Sequence, residues 1–322
     1  MKAAVTGATG FIGSHLAYAL RRQRAAVACL VRRGSAAAPL EAAGCRIVTG
    51  SLADERALAE LVADAEVVFH VAGLVAARSE AEFLRVNRDG AARLAGWARD
   101  AGVRRFIHVS SLAVTGPSVP GRPLDESGSP NPVTRYGRSK LEGEAAVRES
   151  GVPFTIVRPS AVYGPRDREL LRLFRLARRG VWPLLGGGRQ ELSLIHVADL
   201  AAALWAVACE PRAEGRVYHA AAPEIVDQRA LAGAIARAVG TPVRLFPLPA
   251  GVVRLVLLAS GAAARLAGRA TLLAPDKAPE ILAPAWTCSS AALEKDTGWR
   301  AAIPLDRGLA ETARWYRENG WL

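Results

Sequence analysis

The segment Tyr136-Gly-Arg-Ser-Lys140 pairs a phenol with an ammonium group at a spacing of four residues. On a helix this spacing puts the two side chains on one face, one turn apart. Lysine is rare in this chain, where only Lys2, Lys140, Lys277 and Lys295 stand among 42 basic residues. A fixed ammonium favours phenolate and lowers the pKa of a tyrosine toward the range of a general acid or base. The pattern predicts an acid–base pair, although it also suits a solvated helix with Tyr136 on the surface.

A glycine-rich turn, Gly7-Ala-Thr-Gly10-Phe-Ile-Gly13, follows the first apolar run of the chain. The residues after it, from Ser14 to Leu20, have the apolar spacing of a helix. Gly7 permits a tight turn, Gly10 lets the backbone approach a pyrophosphate, and Gly13 allows close packing of helix on strand. The N–H groups at the helix start then face the phosphates, where the helix dipole favours negative charge. Strand, glycines and helix together predict a dinucleotide-binding site.

The end of the second predicted strand, Val31-Arg32-Arg33-Gly34-Ser35, indicates which dinucleotide is bound. NAD enzymes place a carboxylate about 20 residues after the glycines, where it holds the ribose 2′-hydroxyl. This chain has no acid in reach there, and two guanidinium groups with a hydroxyl suit a 2′-phosphate. We therefore expect NADP as the cofactor, with NAD as the alternative if the arginines are solvent-facing loop residues of an arginine-rich chain.

Together these segments resemble the extended branch of the short-chain dehydrogenase/reductase superfamily, over essentially the whole chain. Val67–Gly73 resembles the fourth strand and its small-residue turn, His108–Ser111 the fifth strand, and Arg158–Pro165 the sixth-strand exit that holds the nicotinamide carboxamide. Asn87 resembles the helix asparagine that helps to anchor the active site. The resemblance implies an α/β fold, a Rossmann-type doubly wound parallel sheet with a smaller C-terminal substrate lobe. It also implies a set of cofactor-binding residues, namely Gly7, Thr9, Gly10, Phe11, Ile12, Gly13, Arg32, Arg33, Ser35, Ser51, Leu52, Val71, Ala72, Gly73, Asn87, Val109, Tyr136, Lys140, Pro159, Ser160 and Val162.

The same resemblance implies a catalytic serine, and two adjacent serines compete for that role. Aligning Val114-Thr-Gly116 with the family's Val-Tyr-Gly places Ser111 25 residues before Tyr136, the spacing common in extended members, and leaves Ser110 a partly structural role. Ser111 would bond the substrate oxygen, and Tyr136 would pass a proton to or from it. Lys140 would bond the nicotinamide ribose and hold Tyr136 near phenolate, while hydride moves between nicotinamide and the carbinol carbon.

One segment departs from the family pattern. Members often carry Asp-Leu after the third strand, where the aspartate bonds the adenine amino group, whereas this chain has Gly50-Ser51-Leu52. Either Ser51 makes that contact or the contact is missing, and the phosphate contacts then carry more of the cofactor affinity.

The domain organisation follows from the alternation of apolar strands and polar-faced helices over about the first 160 residues, which is typical of a parallel sheet. We expect a dinucleotide-binding domain over 1–165, completed by about 190–220, and a mainly substrate-binding lobe over 166–322. The proline-rich loop 117–132 is a candidate substrate-facing segment. In the lobe, 166–179 is predicted to be an amphipathic helix. His196 and Asp199 are expected to be structural, with Asp199 as the cap of a helix over 200–209.

Composition limits the class of protein. The net charge of +12 is carried by arginines scattered through predicted helices, without interleaved aromatic residues, so we expect no nucleic-acid partner. Four cysteines stand far apart with no metal-ligand spacing, which predicts no metal site and fits a reducing cytoplasm. The chain begins directly in a predicted strand, and we expect no signal peptide.

The resemblance implies an NADP-dependent oxidoreductase acting on a secondary alcohol or ketone of a small hydrophobic substrate. Arg158-Pro159-Ser160 is similar to the branch of 3β-hydroxysteroid dehydrogenases and dihydroflavonol reductases. Nucleotide-sugar enzymes usually carry an asparagine at the position of Ala161 and tend to present an arginine where Glu191 precedes the returning strand. An NAD-dependent nucleotide-sugar epimerase or dehydratase is the alternative. A non-catalytic NADPH-binding or structural subunit is the alternative of another class, although the serine, tyrosine and lysine are all present.

Two expectations concern surfaces. The segment 245–260 is apolar but interrupted by Pro247, Pro249 and Arg254, so it is too short to span a bilayer, which takes about 20 apolar residues. With 261–266 it is predicted to form one or two helices that serve as a lid, as a peripheral membrane contact or as ordinary lobe core. The resemblance also implies a homodimer through the helices that bear Asn87 and Tyr136.

Overall fold

A parallel sheet of seven strands forms the centre of the computed structural model, which describes residues 1–185 and 187–322. The strands, numbered along the chain, are β1 (Lys2–Thr6), β2 (Ala26–Val31), β3 (Arg46–Thr49), β4 (Val67–His70), β5 (Arg105–Val109), β6 (Phe154–Pro159), β7 (Ala161–Tyr163), β8 (Val181–Leu185), β9 (Glu191–His196), β10 (Val217–Ala220), β11 (Ile225–Asp227), β12 (Arg244–Leu248) and β13 (Ala285–Trp286). The order in the central sheet is β10-β6-β5-β4-β1-β2-β3.

The strand order reverses beside β1, because the chain moves outward through β2 and β3 and then returns to β4 on the other side. In such sheets ligands bind outside the carboxyl ends of the strands at this switch point. The carboxyl ends of β1, β4 and β5 lead into the glycine turn, the turn at 71–73 and the two serines at 110 and 111. The topology therefore brings three of the predicted cofactor and catalytic segments to one edge.

Helices cover both faces of this sheet, so the predicted doubly wound α/β fold is confirmed. In β4 the run Val67-Val-Phe69 is fully buried because strands covered on both faces are apolar throughout. Leu16 and Leu200 belong to the core on one face, and Leu58 and Leu94 to the core on the other. The helices are α1 (Phe11–Arg22), α2 (Ala38–Ala42), α3 (Glu55–Val62), α4 (Glu80–Asn87), α5 (Asp89–Asp100), α6 (Arg135–Glu149), α7 (Leu171–Arg178), α8 (Val197–Cys209), α9 (Gln228–Val239), α10 (Ala250–Leu266), α11 (Ala278–Ile281), α12 (Ala291–Thr297) and α13 (Leu305–Glu318).

A second group of elements carries two small sheets. In one of them β9 pairs with β7, β11 and β13, and in the other β8 pairs with β12. Phe174, Trp182 and Tyr316 are buried in a separate apolar core between α7, α9 and α13. The central sheet still takes β10 from this half of the chain, where it pairs with β6.

The helix predicted over 166–179 is shorter in the structure and begins at Leu171. Arg166 has a φ of 74°, the left-handed region that a right-handed helix excludes. The side chain of Asp167 then accepts the backbone N–H groups of Glu169 and Leu170 at 2.7 and 3.1 Å, which holds a turn where the helix was expected.

The prediction that Asp199 caps a helix is wrong. Helix α8 begins at Val197, and the Nδ1 atom of His196 accepts the N–H of Ala198 at 3.3 Å as its cap. The Asp199 carboxylate points outward from the helix and accepts two backbone N–H groups at 302 and 303, at 3.1 and 3.0 Å. Asp199 therefore ties α8 to the segment that leads into α13, and His196 and Asp199 are both structural.

The apolar segment 245–260 is also not wholly helical. Residues 244–248 form strand β12, which pairs in parallel with β8, and α10 begins only after Pro249. Among the helices that the structure describes, none combines the length and apolar character needed to cross a membrane.

Candidate active site

Helix α6 presents the tyrosine and the lysine. The hydroxyl of Thr134 accepts the N–H of Gly137 at 3.0 Å and caps the helix, so Tyr136 and Lys140 lie in its first two turns. Gly137 lies against the backbone carbonyl of Ala113, where any side chain would collide. This close approach brings the tyrosine turn of α6 beside the turn that follows β5.

Two serines end strand β5, and their side chains make different contacts. Ser110 is buried, and its hydroxyl donates to the carboxylate of Glu144 at 2.6 Å. Ser111 is half-buried, and its hydroxyl accepts the N–H of Ala113 at 3.2 Å while facing the Tyr136 phenol. The alternation of side chains at the end of a strand explains this split. Of the two serines, Ser111 is the one that lies beside the tyrosine.

Burial dominates the electrostatics of Tyr136 and raises its pKa to about 12. The Ser111 hydroxyl opposes that shift, whereas the carboxylates of Glu169 and Glu280 add to it. Lys140, which was expected to hold the phenol near phenolate, is not among the groups that shift this pKa. Its buried ammonium donates to the carbonyl of Val109 at 2.7 Å, and burial lowers the pKa of Lys140 to about 8.

A second lysine lies against the tyrosine, and the sequence motifs did not single it out. The Lys277 ammonium is 4.9 Å from the centroid of the Tyr136 ring, which is cation–π geometry. It also forms an ion pair with Glu280 at 2.8 Å, and only 13% of its side chain is exposed. The rarity of lysine, which drew attention to Lys140, was the available signal for Lys277 as well.

A buried ion pair holds the end of β5, the strand that leads into the two serines. The guanidinium of Arg158 donates to both carboxylate oxygens of Glu144, at 2.8 and 2.7 Å, and both side chains are at most 4% exposed. Because Glu144 also accepts the Ser110 hydroxyl, this pair fixes the end of β5 against β6 and α6. Glu144 lies one helical turn after Lys140 and favours its charged form. The spacing of four residues between Lys140 and Glu144 was the signal in the sequence that these two side chains lie close together.

A cavity of about 420 Å³ opens beside Ser111 and Tyr136. Apolar groups from both halves of the chain line it, together with the charged residues Asp167, Glu169, Lys277 and Glu280. The Oγ atom of Ser160 is buried in its wall and has no hydrogen-bond partner among the described residues. The predicted cofactor residues that line this cavity are Phe11, Ile12, Tyr136, Pro159, Ser160 and Val162.

The glycine turn fits a dinucleotide. A side chain on Gly13 would collide with the carbonyl of Gly7, and one on Gly7 would lie 2.8 Å from the backbone nitrogen of Ala72. Helix α1 begins at Phe11 after Gly10, which offers no side-chain cap, unlike the residues before α3, α4, α6 and α9. The first N–H groups of α1 are therefore available to an anion. The closely packed glycine turn and the uncapped start of α1 are the features that a pyrophosphate requires.

The turn after β4 joins the cofactor cradle to the catalytic residues. The N–H of Ala72 donates to the hydroxyl of Thr6 at 3.2 Å, and a side chain on Gly73 would lie 3.7 Å from the Lys140 ammonium. Asn87 holds this turn, because its amide exchanges hydrogen bonds of 2.8 and 3.0 Å with the backbone of Leu74. Val71 is half-buried directly after β4, and the carbonyl of the buried Val109 at the end of β5 accepts the Lys140 ammonium.

A smaller cavity, of about 250 Å³, lies beside the glycine turn. The predicted residues Thr9 and Ser35 line it, and so does Arg166, which the sequence motifs did not single out. The side chain of His15 contacts the carbonyl of Pro165 at 2.9 Å and holds the segment that carries Arg166 against α1. The left-handed backbone of Arg166 is strain of a kind that clusters at functional sites.

Arg32, Arg33, Ser51 and Leu52 are among the predicted cofactor residues that line neither of these two cavities. Arg32 and Arg33 are exposed beyond β2. Ser51 accepts the N–H of Ala53 at 3.2 Å, and Leu52 packs against Gly90 of α5. Cofactor contact by these four residues, as by the other predicted cofactor residues, stays a prediction.

Comparison with known proteins agrees with this geometry. The model of the NAD dependent epimerase/dehydratase family matches residues 3–221. A ceramide reductase of Caulobacter vibrioides is 38% identical over 99% of this chain and 95% of its own length. The 4-hydroxy-2-methyl-3-oxo-4-farnesyl-3,4-dihydroquinoline-1-oxide ketoreductase of Stigmatella aurantiaca is 34% identical over 68% of this chain and 67% of its own.

The fold is also found in solved structures. The UDP-glucose 4-epimerase of Thermotoga maritima, determined with UDP-glucose, superimposes with a TM-score of 0.81 at 22% identity and covers 99% of each chain. The fold and the matches define an NAD(P)-dependent enzyme of the extended short-chain dehydrogenase/reductase type. The chain belongs to the NAD dependent epimerase/dehydratase family.

Proposed function

We propose that the protein is an NADP-dependent oxidoreductase that transfers hydride between nicotinamide and a secondary alcohol or ketone of a small hydrophobic substrate. The observation that carries this proposal is the meeting of Ser111 and Tyr136 at the wall of a largely apolar cavity. In the direction of reduction, Ser111 hydrogen-bonds the ketone oxygen and Tyr136 donates a proton to it. The bound nicotinamide supplies the hydride.

The burial of Tyr136 and Lys140 determines the role that each would have in the reaction. A phenol whose pKa is raised to about 12 carries its proton at neutral pH, which suits a proton donor to an alkoxide. The Lys140 ammonium lies between Val109 and the turn at Gly73, and its proposed role is to bond a ribose hydroxyl of the cofactor. Phe11, Ile12 and Val162 exclude water from one side of the cavity.

The charges of the cavity favour an uncharged substrate over a nucleotide sugar. The carboxyl groups of Asp167, Glu169 and Glu280 line it against the one ammonium of Lys277. A diphosphate would meet net negative charge there, which is unfavourable at short range. Ala161 also lines the cavity, where nucleotide-sugar enzymes usually carry an asparagine. Net redox turnover is therefore proposed ahead of epimerisation or dehydration.

The printed names of two relatives support a lipid-like ketone. The Caulobacter relative is a reductase of ceramide, and the Stigmatella relative is a ketoreductase whose printed name includes a 3-oxo group and a farnesyl chain. We extend the proposal to a ketone that carries a long apolar chain and a compact polar group. The polar group would face Lys277 and Glu280, and the chain would lie along Leu272 and Ile281.

NADP is proposed as the cofactor because arginines, and no carboxylate, follow β2, the strand that pairs with β1. Arg32 and Arg33 follow β2, and Arg166 lines the smaller cavity with Thr9 and Ser35. Guanidinium groups suit a 2′-phosphate in bidentate geometry. NAD is the alternative, and a non-catalytic NADPH-binding subunit is disfavoured because Ser111, Tyr136 and Lys140 are all in place.

We also propose a homodimer and a cytoplasmic location. The dimer would form through α4 and α6, the helices that bear Asn87 and Tyr136, and size-exclusion chromatography with light scattering tests it. A reducing compartment is supported by the cysteines, all four of which are free thiols.

The experiment that tests the proposed activity has two parts. The nucleotide that purifies with the protein is released and identified by mass. The protein is then supplied with NADPH or NADH and a panel of long-chain ketones, with loss of the reduced-nicotinamide absorbance as the readout and UDP-glucose epimerisation as the control. NADPH-dependent ketone reduction supports the proposal, whereas tightly retained NAD together with epimerisation would overturn it.

A further inference from the structure

Helix α10 is apolar on most of its surface, yet little of it is covered. Only Val253, Leu257 and Gly261, spaced four residues apart, are buried. Leu255 and Leu258 are 66% and 56% exposed. A helix that is apolar on all sides is ordinarily buried, so an uncovered one marks a surface that has a partner.

This apolar face is continued by the strand before the helix. Together they form a surface that we name the α10 apolar surface, made of Leu245, Phe246, Val252, Leu255, Val256 and Leu258, each at least 39% exposed in the structure. Exposed apolar side chains are common when single, but six on one strand and the helix that follows it form a patch.

The charge around this surface is of one sign. Between Asp227 and Asp276 the sequence contains six arginines and neither aspartate nor glutamate. Arg244, Arg254, Arg265 and Arg269 are exposed, and within the described part of the chain none of them forms an ion pair with a carboxylate. The segment therefore combines uncovered apolar groups with unneutralised positive charge.

The end of α10 adds a pocket that suits a phosphate group. A cavity of about 370 Å³ separates the C-terminal part of α10 from the segment that precedes α4 and from the start of α6. Four arginines line it, Arg78, Arg135, Arg265 and Arg269, against the single carboxylate of Asp276. Arg78 is paired with Glu82 at 3.4 Å, and the guanidinium groups of the other three arginines match the oxygens of an anionic headgroup.

We propose that the α10 apolar surface docks on an anionic lipid bilayer. The helix lies in the plane of the interface, with its leucines and valines in the acyl region and its arginines on lipid phosphates. At 17 residues it extends about 25 Å along the membrane surface. A second copy of the chain is a poorer occupant, because two-fold pairing of this face would set arginines against arginines.

The location of the surface fits the substrate route. The chain runs directly from α10 through Leu272 and Leu273, and Leu272 lines the catalytic cavity. A lipid-like ketone would pass from the bilayer into the cavity along this segment. This last step rests on the proposed function, whereas the docking itself does not.

The test is co-sedimentation of the full chain with vesicles, measured without turnover. Vesicles of phosphatidylcholine mixed with phosphatidylglycerol are compared with vesicles of phosphatidylcholine alone. The variants are Leu255→Ser with Leu258→Ser, and Arg265→Ala with Arg269→Ala. The matched controls are Val119→Ser, which removes an exposed apolar side chain elsewhere, and Arg56→Ala on α3. Thermal unfolding and reduction of a water-soluble ketone verify that each variant is folded.

We expect the wild type and both controls to bind the anionic vesicles, and the double-serine variant to lose at least about tenfold in partitioning. The double-alanine variant should weaken binding to the anionic vesicles and leave weak binding to phosphatidylcholine unchanged. Absence of vesicle binding by the wild type would overturn the proposal. So would binding that the serine substitutions leave intact, or a dimer that these substitutions dissociate in the absence of lipid. Failure of ketone reduction with vesicle binding intact would count against the proposed function alone.

Discussion

The ammonium of Lys277 lies 4.9 Å from the centre of the Tyr136 ring and is paired with Glu280 at 2.8 Å. Lys277 comes from the segment before α11, far along the chain from α6, so the C-terminal half places a charge against the Tyr136 ring. Lys277 and Glu280 therefore put one positive and one negative charge on the side of the cavity where Tyr136 lies. Tyr136 is thus contacted by a lysine from the C-terminal half, whereas the Lys140 ammonium of its own helix bonds the carbonyl of Val109.

Replacing Lys277 and replacing Glu280 should shift the pH dependence of turnover in opposite directions. Lys277→Met removes a cation that favours phenolate, and it should raise the apparent pKa of kcat by up to about one unit. Glu280→Gln removes a carboxylate that raises the pKa of Tyr136, and it should lower the apparent value. The pH profile of kcat at saturating NADPH measures both. Shifts in the same direction, or no shift in either variant, would show that these charges do not act on the phenol.

The arginines that follow β2 should decide the choice between NADPH and NADH. Arg33→Ala removes a charge-assisted contact to the 2′-phosphate, so the KM for NADPH should rise about tenfold while that for NADH is unchanged. Arg46→Ala, an exposed arginine on β3, is the matched control. Equal losses with the two cofactors would contradict the proposed 2′-phosphate contact.

Lys140 should make the stability of the fold depend on pH above neutrality. Burial lowers its pKa to about 8 from 10.5, so above pH 8 the unfolded chain binds the proton more strongly than the native one does. The free energy of unfolding of the wild type, relative to Lys140→Met, should therefore rise between about pH 8 and 10.5, by as much as about 3 kcal/mol. Urea unfolding of the two proteins across this range measures it. A flat or falling difference would contradict the predicted shift.

The buried pair of Glu144 and Arg158 should contribute far more to stability than an exposed pair. Glu144→Gln leaves the Arg158 guanidinium buried without its counter-charge, and the expected loss is about 3 to 5 kcal/mol in the free energy of unfolding. Asp306→Asn, which breaks the exposed pair with Arg237, should cost at most about 1 kcal/mol. Denaturant unfolding at neutral pH compares them, and equal losses would show that Glu144 does not have the supporting role described.

Local patterns were sufficient to predict the parts of the structure that depend on neighbouring residues. The glycine turn, the strand ends and the four-residue spacing of Tyr136 and Lys140 each rest on short-range geometry, and the structure brings Gly73, Ser111, Tyr136 and Lys140 to one edge of the sheet. The doubly wound sheet followed from the alternation of apolar strands with helices.

Contacts across long stretches of chain could not be predicted in this way. Lys277 reaches Tyr136, and Arg166 reaches the glycine turn, only because the C-terminal elements pack back on the central sheet. Asp199 looked like a helix cap because its position in the sequence suits one, but the backbone at 302 and 303 competes for its carboxylate. The left-handed φ of Arg166, which delays α7, has no signal in the residue type, since glycine is the usual residue there.

The central claim is that Tyr136 donates the proton in an NADPH-dependent ketone reduction, and hydride transfer in Tyr136→Phe tests it most directly. Transfer of deuterium from labelled NADPH to a long-chain ketone is followed in the wild type, in Tyr136→Phe and in the control Tyr218→Phe, whose hydroxyl bonds Asp296 away from the cavity. We predict a loss of about 100- to 10,000-fold in rate for Tyr136→Phe, with NADPH binding retained, and wild-type turnover for the control. Full activity in Tyr136→Phe would contradict the assignment.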